Sequence, residues 1–258
     1  MSCPDIGFLI KVELVTFPKK IRLHFKELNT MITWYHYPYY AKHMETLGYE
    51  KQATWVEFRI REHLNVKEKI RKFSKLIKER YNLHVVRFSN KKDILPYVDA
   101  MFGLLNSTYN TLQTFVPIQD YQIAYYKTKY FNFIHPDYIT CIEDNSGKLI
   151  AFSVVMPSFS RALQKANGRL FPLGWWHILR AQKRNNTAAF YLIGIDPEYQ
   201  GKGVTAIIFH EMQELFRVKG IQEVETNPEL IENTAVQALW KDYNPQQHKA
   251  RSTYRKAL

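Results

Sequence analysis

Cysteine is almost missing from this 258-residue chain: Cys3 and Cys141 stand far apart, with no CxxC pair and no Cys/His cluster. That scarcity excludes a disulfide framework and a structural zinc site, and a reducing, cytoplasmic compartment is expected. Long apolar runs are missing too. Leu149–Val155, which Ser153 breaks, and Ala188–Ile195 fall well short of the roughly 20 residues that a membrane-spanning helix needs. Ile6–Phe17 is interrupted by Lys11 and Glu13 and makes a poor signal-peptide core. The chain has no GxxxxGK[ST] and no GxSxG, and His210-Glu211-Met212-Gln213-Glu214 lacks the second His of HExxH. With its nine His scattered, no metal site is expected.

Positive charge is what the chain has in excess, 36 Lys and Arg against 24 Asp and Glu, a net +12. Such an excess suits either a polyanion or a phosphate-bearing small molecule. Its densest run is Lys67–Arg80, with seven basic residues. Val66, Ile70, Phe73 and Ile77 recur there at helical spacing, so the run reads as an amphipathic helix with a solvated basic face. No nucleic-acid motif accompanies it, and nucleic acid is not the expected partner.

From Asn82 onward, strands and helices alternate. His84–Phe88 reads as a strand, and Asp93–Asn106 and Asp120–Phe131 read as helices. Asp137–Glu143 and Leu149–Met156 flank the turn Asp144-Asn145-Ser146-Gly147 as a hairpin. Thr187–Ile195 is a further strand. Thr205–Lys219 is a helix stopped by Gly220. Gln222–Glu225 reads as a strand, Glu232–Tyr243 as a helix and Thr253–Ala257 as a last strand. That order predicts an α/β fold, a mixed and mostly antiparallel sheet flanked by helices. The long connection Ser158–Asn186, with its aromatic stretch Phe171–Leu179, is either packed on the core or a wall of a substrate pocket.

Chemistry concentrates between Tyr191 and Thr205, where a strand runs through a glycine-containing loop directly into a helix. Unpaired amides and the positive end of the helix dipole make such a junction a phosphate site. Gly201 and Gly203 allow close approach to the backbone. Ala206 stands where a dinucleotide fingerprint would have its third glycine.

Gln200-Gly201-Lys202-Gly203-Val204, followed by Thr205 and an apolar helix, resembles motif A of the GNAT acetyltransferase superfamily, Q/R-x-x-G-x-G/A; Thr205 departs at the final small position. The resemblance covers about Asn82 to Leu258 and implies acetyl-CoA or another acyl-CoA as cofactor. Its pyrophosphate would lie on Gln200, Gly201, Lys202, Gly203, Val204 and Thr205, and its pantetheine arm along Ile193, Gly194 and Ile195. Glu225-Thr226-Asn227 and Asn233–Trp240 resemble motif B, which implies cofactor contacts from Asn227 and Asn233. Trp240 replaces that motif's acidic Tyr, and an indole N–H only donates. Ala189 stands at the usual place of the carboxylate base. Tyr191, read as facing the same way as Ala189, and Glu225 are the remaining catalytic candidates, each also explicable as a structural residue.

Tyr39–Lys51 is similar to another motif B ending, with Met44 at the Tyr place and a strand Thr54–Ile60 after it. Residues 1–64 are therefore expected to be the remnant of a first GNAT-like module in an N-terminally truncated tandem bacterial protein, or a native accessory subdomain. Residues 65–81 form a linking helix and 82–258 a complete module. The implied activity is acyl-CoA-dependent N-acylation of an amine or peptide. A non-catalytic module that binds coenzyme A or a protein partner is the alternative.

Overall fold

Residues 27–61, 68–110, 115–130 and 134–256 are described by a computed structural model. Residues 1–26 and 62–64 of the expected remnant, 65–67 of the linking helix, and Phe131 and Ala257 at the ends of expected elements lie outside them. No described helix is long and apolar enough to cross a membrane.

The described residues of Glu62–Pro157 and Arg184–Gln222 form one compact unit. Its strands β2 (His84–Val86), β3 (Ile139–Glu143), β4 (Leu149–Pro157) and β5 (Thr187–Ile195) pair successively and antiparallel. Asp144 builds the β3–β4 turn, its Oδ1 accepting from the amides of Ser146 at 2.8 Å and Lys148 at 3.1 Å. Every residue of β4 is buried, so the strand needs cover on both faces. Helix α3 (Leu95–Tyr109) lays Val98, Met101, Leu104 and Leu105 against Ile139, Cys141, Phe152 and Val154. It begins after a capping box of Asn90 and Asp93, later than the pattern from Asp93 suggests, and runs past Asn106 to Tyr109. Helix α4 (Asp120–Tyr130) follows α3.

Helix α7 (Thr205–Lys219) buries Ile207, Ile208, Met212 and Phe216, and Gly220 closes it at φ +67°. Helix α2 (Glu68–Tyr81) packs on α7 through Ile77. Its basic residues face outward in part as pairs with acids, Lys72–Glu68 at 3.0 Å and Lys75–Glu79 at 3.8 Å. This is the solvated face read from the spacing.

The described residues of Met1–Arg61, Ser158–Lys183 and Glu223–Leu258 form the other unit. It holds α1 (Tyr39–Thr46), β1 (Glu50–Ile60), α5 (Ser160–Lys165), α6 (Gly174–Lys183), β6 (Glu223–Thr226), β7 (Glu229–Leu230), α8 (Thr234–Ala238) and β8 (Gln246–Arg255). Strand β1 is its organiser. It pairs antiparallel with β8 over most of its length, with β6 at Arg59↔Glu225 and with β7 at Trp55↔Leu230.

Three further boundaries differ most from the sequence reading. The strand expected at Thr54–Ile60 starts at Glu50, and the last strand spans Gln246–Arg255 rather than Thr253–Ala257. The helix expected over Glu232–Tyr243 is only α8 and a 3-10 turn at Lys241–Tyr243, because Trp240 turns inward to 2% exposure.

Candidate functional site in the strand-to-helix junction

A β-bulge opens the site. Val154 pairs with Leu192 but Val155 with Phe190, which leaves Tyr191 as the extra residue of β5. Tyr191 nevertheless packs with Phe152 and Val154, on the side of the sheet to which Ala189, paired with Met156, also belongs. Tyr191 is half-buried against the core cluster beneath α3, and Ala189 is buried. Beyond the bulge, Gly194 lies so close to Phe152 that a Cβ there would come within 2.4 Å of its ring.

Asp196 ends the strand. Its carboxylate accepts from the Glu198 amide at 2.9 Å and pairs with Lys148 at 2.8 Å. Burial pushes its pKa upward, but the Lys148 ammonium and the Glu198 amide outweigh it and hold the group below its ordinary value. The loop then turns through two left-handed glycines, Gly201 at φ +73° and Gly203 at φ +83°. Among the described residues, the amides of Gly201, Gly203, Val204 and Thr205 take no part in the turn and cap hydrogen bonds of the loop, and no side chain caps α7. The N-cap position is Val204, and Thr205 is the first helical residue. Gln200 Nε2 donates to Ile195 O at 3.2 Å, and Lys202 Nζ lies 5.1 Å from the Tyr199 ring and 5.6 Å from that of Tyr81.

The two glycines differ in their surroundings. A Cβ on Gly201 would meet nothing within 4 Å, whereas one on Gly203 would come within 2.8 Å of Phe73 on α2. Close approach at Gly203 is therefore made by the protein's own helix. The open backbone is at Gly201.

Two residues that sequence reasoning missed bond β5 at Ile193 and Ile195, on the edge away from β4. Tyr109 Oη donates to Ile193 O at 2.9 Å. Thr108 Oγ1 accepts from Ile195 N at 3.2 Å and lies 3.1 Å from Ile195 O and 2.7 Å from Leu104 O, between which its single hydrogen must choose. No sequence signal marks either residue, since both follow the apolar stripe of α3 as ordinary polar end residues.

The other expected residues lie in the β1 unit. Glu225 is buried on β6, with Arg59 Nη2 at 3.4 Å and Lys249 Nζ at 3.7 Å. Burial raises its pKa and those two cations oppose the rise. Asn227 is half-buried beyond β6, and Asn233 is occupied as the N-cap of α8, its Oδ1 accepting from Val236 N at 3.3 Å. Trp240 Nε1 donates to Glu229 Oε1 at 2.7 Å. Burial pushes the Glu229 carboxyl up to about 7, against the bonds from Trp240 and Thr226. Among the described residues no group of His, Cys, Asp or Glu could hold a metal ion.

No family model matches the chain. The chain is 25% identical over 231 residues to Protein YghO of Escherichia coli (strain K12), covering 86% of this chain and 57% of that protein. A GCN5-related N-acetyltransferase from Sphaerobacter thermophilus superposes with a TM-score of 0.52 at 11% identity, over 84% of this chain and 55% of that one. The fold is GNAT-like. A tandem GNAT protein from the clavulanic acid biosynthesis pathway superposes with a TM-score of 0.52 at 9% identity, over 89% of this chain and 62% of that one. The chain thus spans 57% of that curated relative and 55% and 62% of these two structures.

Proposed function

We propose that the chain is an acyl-CoA-dependent N-acyltransferase module, in its simplest form an N-acetyltransferase, acting on an amine or peptide. One observation carries the reading: a bulged strand runs through two left-handed glycines into a 15-residue helix, and among the described residues the amides of Gly201, Gly203, Val204 and Thr205 enter no turn or cap hydrogen bond. Amides and helix dipole there suit a pyrophosphate, so Gln200 to Thr205 are assigned to it and Ile193 to Ile195 to the pantetheine arm. Acyl-CoA supplies the thioester. The chain supplies orientation of the attacking amine, which contributes several kcal/mol, and Tyr191 and Glu225 are the candidates for moving its proton. The scarcity of Cys supports a cytoplasmic location as part of the same reading.

Residues 82–258 are read as the acyltransferase module, 65–81 as a linking helix and 1–64 as the end of a preceding GNAT-like module. The pairing of β1 with β6, β7 and β8 makes Glu50–Ile60 integral to the fold. A second reading, a non-catalytic module that binds coenzyme A or a protein, is favoured by the closed edge of β5 and by Trp240 bonding Glu229.

Calorimetric titration with acetyl-CoA and CoA, followed by thiol release over a panel of amines, separates the readings. Gly201→Asp is the informative variant, because Asp tolerates the left-handed conformation and sets a negative charge among the amides. The expected result is folded protein with at least about tenfold weaker binding. Unchanged affinity removes the cofactor assignment, and Tyr191→Phe with full turnover removes Tyr191 from the chemistry.

A further inference from the structure

An apolar surface on the segment 158–183 is left partly open by the described residues. Leu170, Phe171, Leu173, Trp175, Trp176 and Leu179 are 45–80% exposed. On α6, residues 175, 176 and 179 share one face, and the opposite face, with His177, Ile178 and Ala181, is the half-buried one. The outward face of a surface helix is ordinarily polar; here Trp175, Trp176 and Leu179 share it with Arg180 and Lys183. The loop before it is held firmly. A Cβ on Gly174 would lie 1.8 Å from the Arg169 carbonyl oxygen, and Trp175 Nε1 donates to Pro172 O at 2.9 Å. Phe171 and Leu173 are thus displayed on a built turn.

The charge carried by this segment has one sign. Residues 158–183 contain Arg161, Lys165, Arg169, Arg180 and Lys183, all exposed, and no Asp or Glu. The Arg180 guanidinium lies 5.4 Å from the Trp176 ring centroid. By contrast, the basic face of α2 carries its own acids at Glu68 and Glu79. We infer that the 158–183 face seats on the surface of an anionic lipid bilayer. Trp and Phe rings rest at the headgroup boundary, while Arg and Lys extend from an apolar stem to anionic headgroups. The inference goes beyond the acyltransferase reading and does not rest on it.

The test is co-sedimentation of the full chain with phosphatidylcholine vesicles and with vesicles enriched in phosphatidylglycerol, the latter also containing lipid brominated in its acyl chains. Binding to the anionic vesicles alone, weakened by salt and accompanied by quenching of Trp fluorescence, is the expected result, and it needs no variant. The triple change Arg169→Gln, Arg180→Gln, Lys183→Gln then weakens partitioning on the order of a hundredfold, and Phe171→Ser with Leu173→Ser abolishes quenching. Lys72→Gln with Lys75→Gln on α2 leaves both readouts in place. Absence of binding, binding without quenching, or equal loss from the α2 variant overturns the inference. So does concentration-dependent self-association, or capture of an acidic protein, that the Phe171→Ser, Leu173→Ser variant loses in place of vesicle binding.

Discussion

Tyr109 holds the carbonyl of Ile193 at 2.9 Å, and by that bond the end of α3 closes the strand edge along which an extended ligand would pair. A ligand arm that pairs there has to replace the phenol, and Thr108 beside it. Tyr109→Phe keeps the ring and leaves the Ile193 carbonyl open to the ligand. Titration with coenzyme A is expected to show about two- to tenfold tighter binding, the worth of one net hydrogen bond, and Thr108→Val to act in the same direction. Weaker binding by both variants would make these residues ligand contacts instead of competitors.

Gly203 is pressed by Phe73, and its backbone is left-handed. Gly203→Ala is expected to destabilise the fold by about 1–3 kcal/mol, from strain at positive φ and overpacking against α2. Adding Phe73→Ala relieves the crowding and leaves the strain, so urea unfolding should show less than the sum of the two single losses. Additive losses would show that the ring and the added methyl do not meet.

Glu229 makes stability fall as pH rises. Its folded pKa of about 7 lies above the ordinary 4.5, so the folded protein binds the proton more tightly than the unfolded chain. Its favourable contribution is whole below about pH 4.5 and is lost as the pH climbs through about 7. That interval, at about 1.4 kcal/mol per pH unit, spans an order of 3 kcal/mol. Glu229→Gln keeps the bond to Trp240 and should flatten this part of the curve of unfolding free energy against pH. An unchanged slope would mean that Glu229 titrates normally.

Glu57 is fully buried between two cations, with Arg251 Nε at 2.6 Å and Lys249 Nζ at 2.9 Å. Glu57→Leu leaves both cations without this partner inside the fold and should cost about 3–5 kcal/mol. Glu68→Ala, at the exposed pair with Lys72, should cost less than about 1 kcal/mol. Equal losses in chemical denaturation would show that water reaches the Glu57 cluster.

Local chemistry alone determined a large part of this protein. The turn at Asp144 to Gly147, strand β5, helix α7 and its stop at Gly220 are all legible because each depends on neighbours in the chain: an Asx turn, an apolar run, a stripe of period 3.6 and one left-handed residue. The glycine loop from Gln200 to Thr205 was legible for the same reason. Strand β8 was not. Its buried Lys249 and Arg251 find their partners only in Glu57 on β1 and Glu225 on β6. Trp240 looked like the continuation of a helix, and only Glu229, brought beside it, turns the indole inward. The closure of β5 by Thr108 and Tyr109 joins residues 87 and 84 positions apart. Periodicity reports which face of an element is apolar; which buried charge finds its counter-charge, and which side chain caps a distant strand edge, is decided only when the elements pack, because the low dielectric of the interior makes each such partner obligatory.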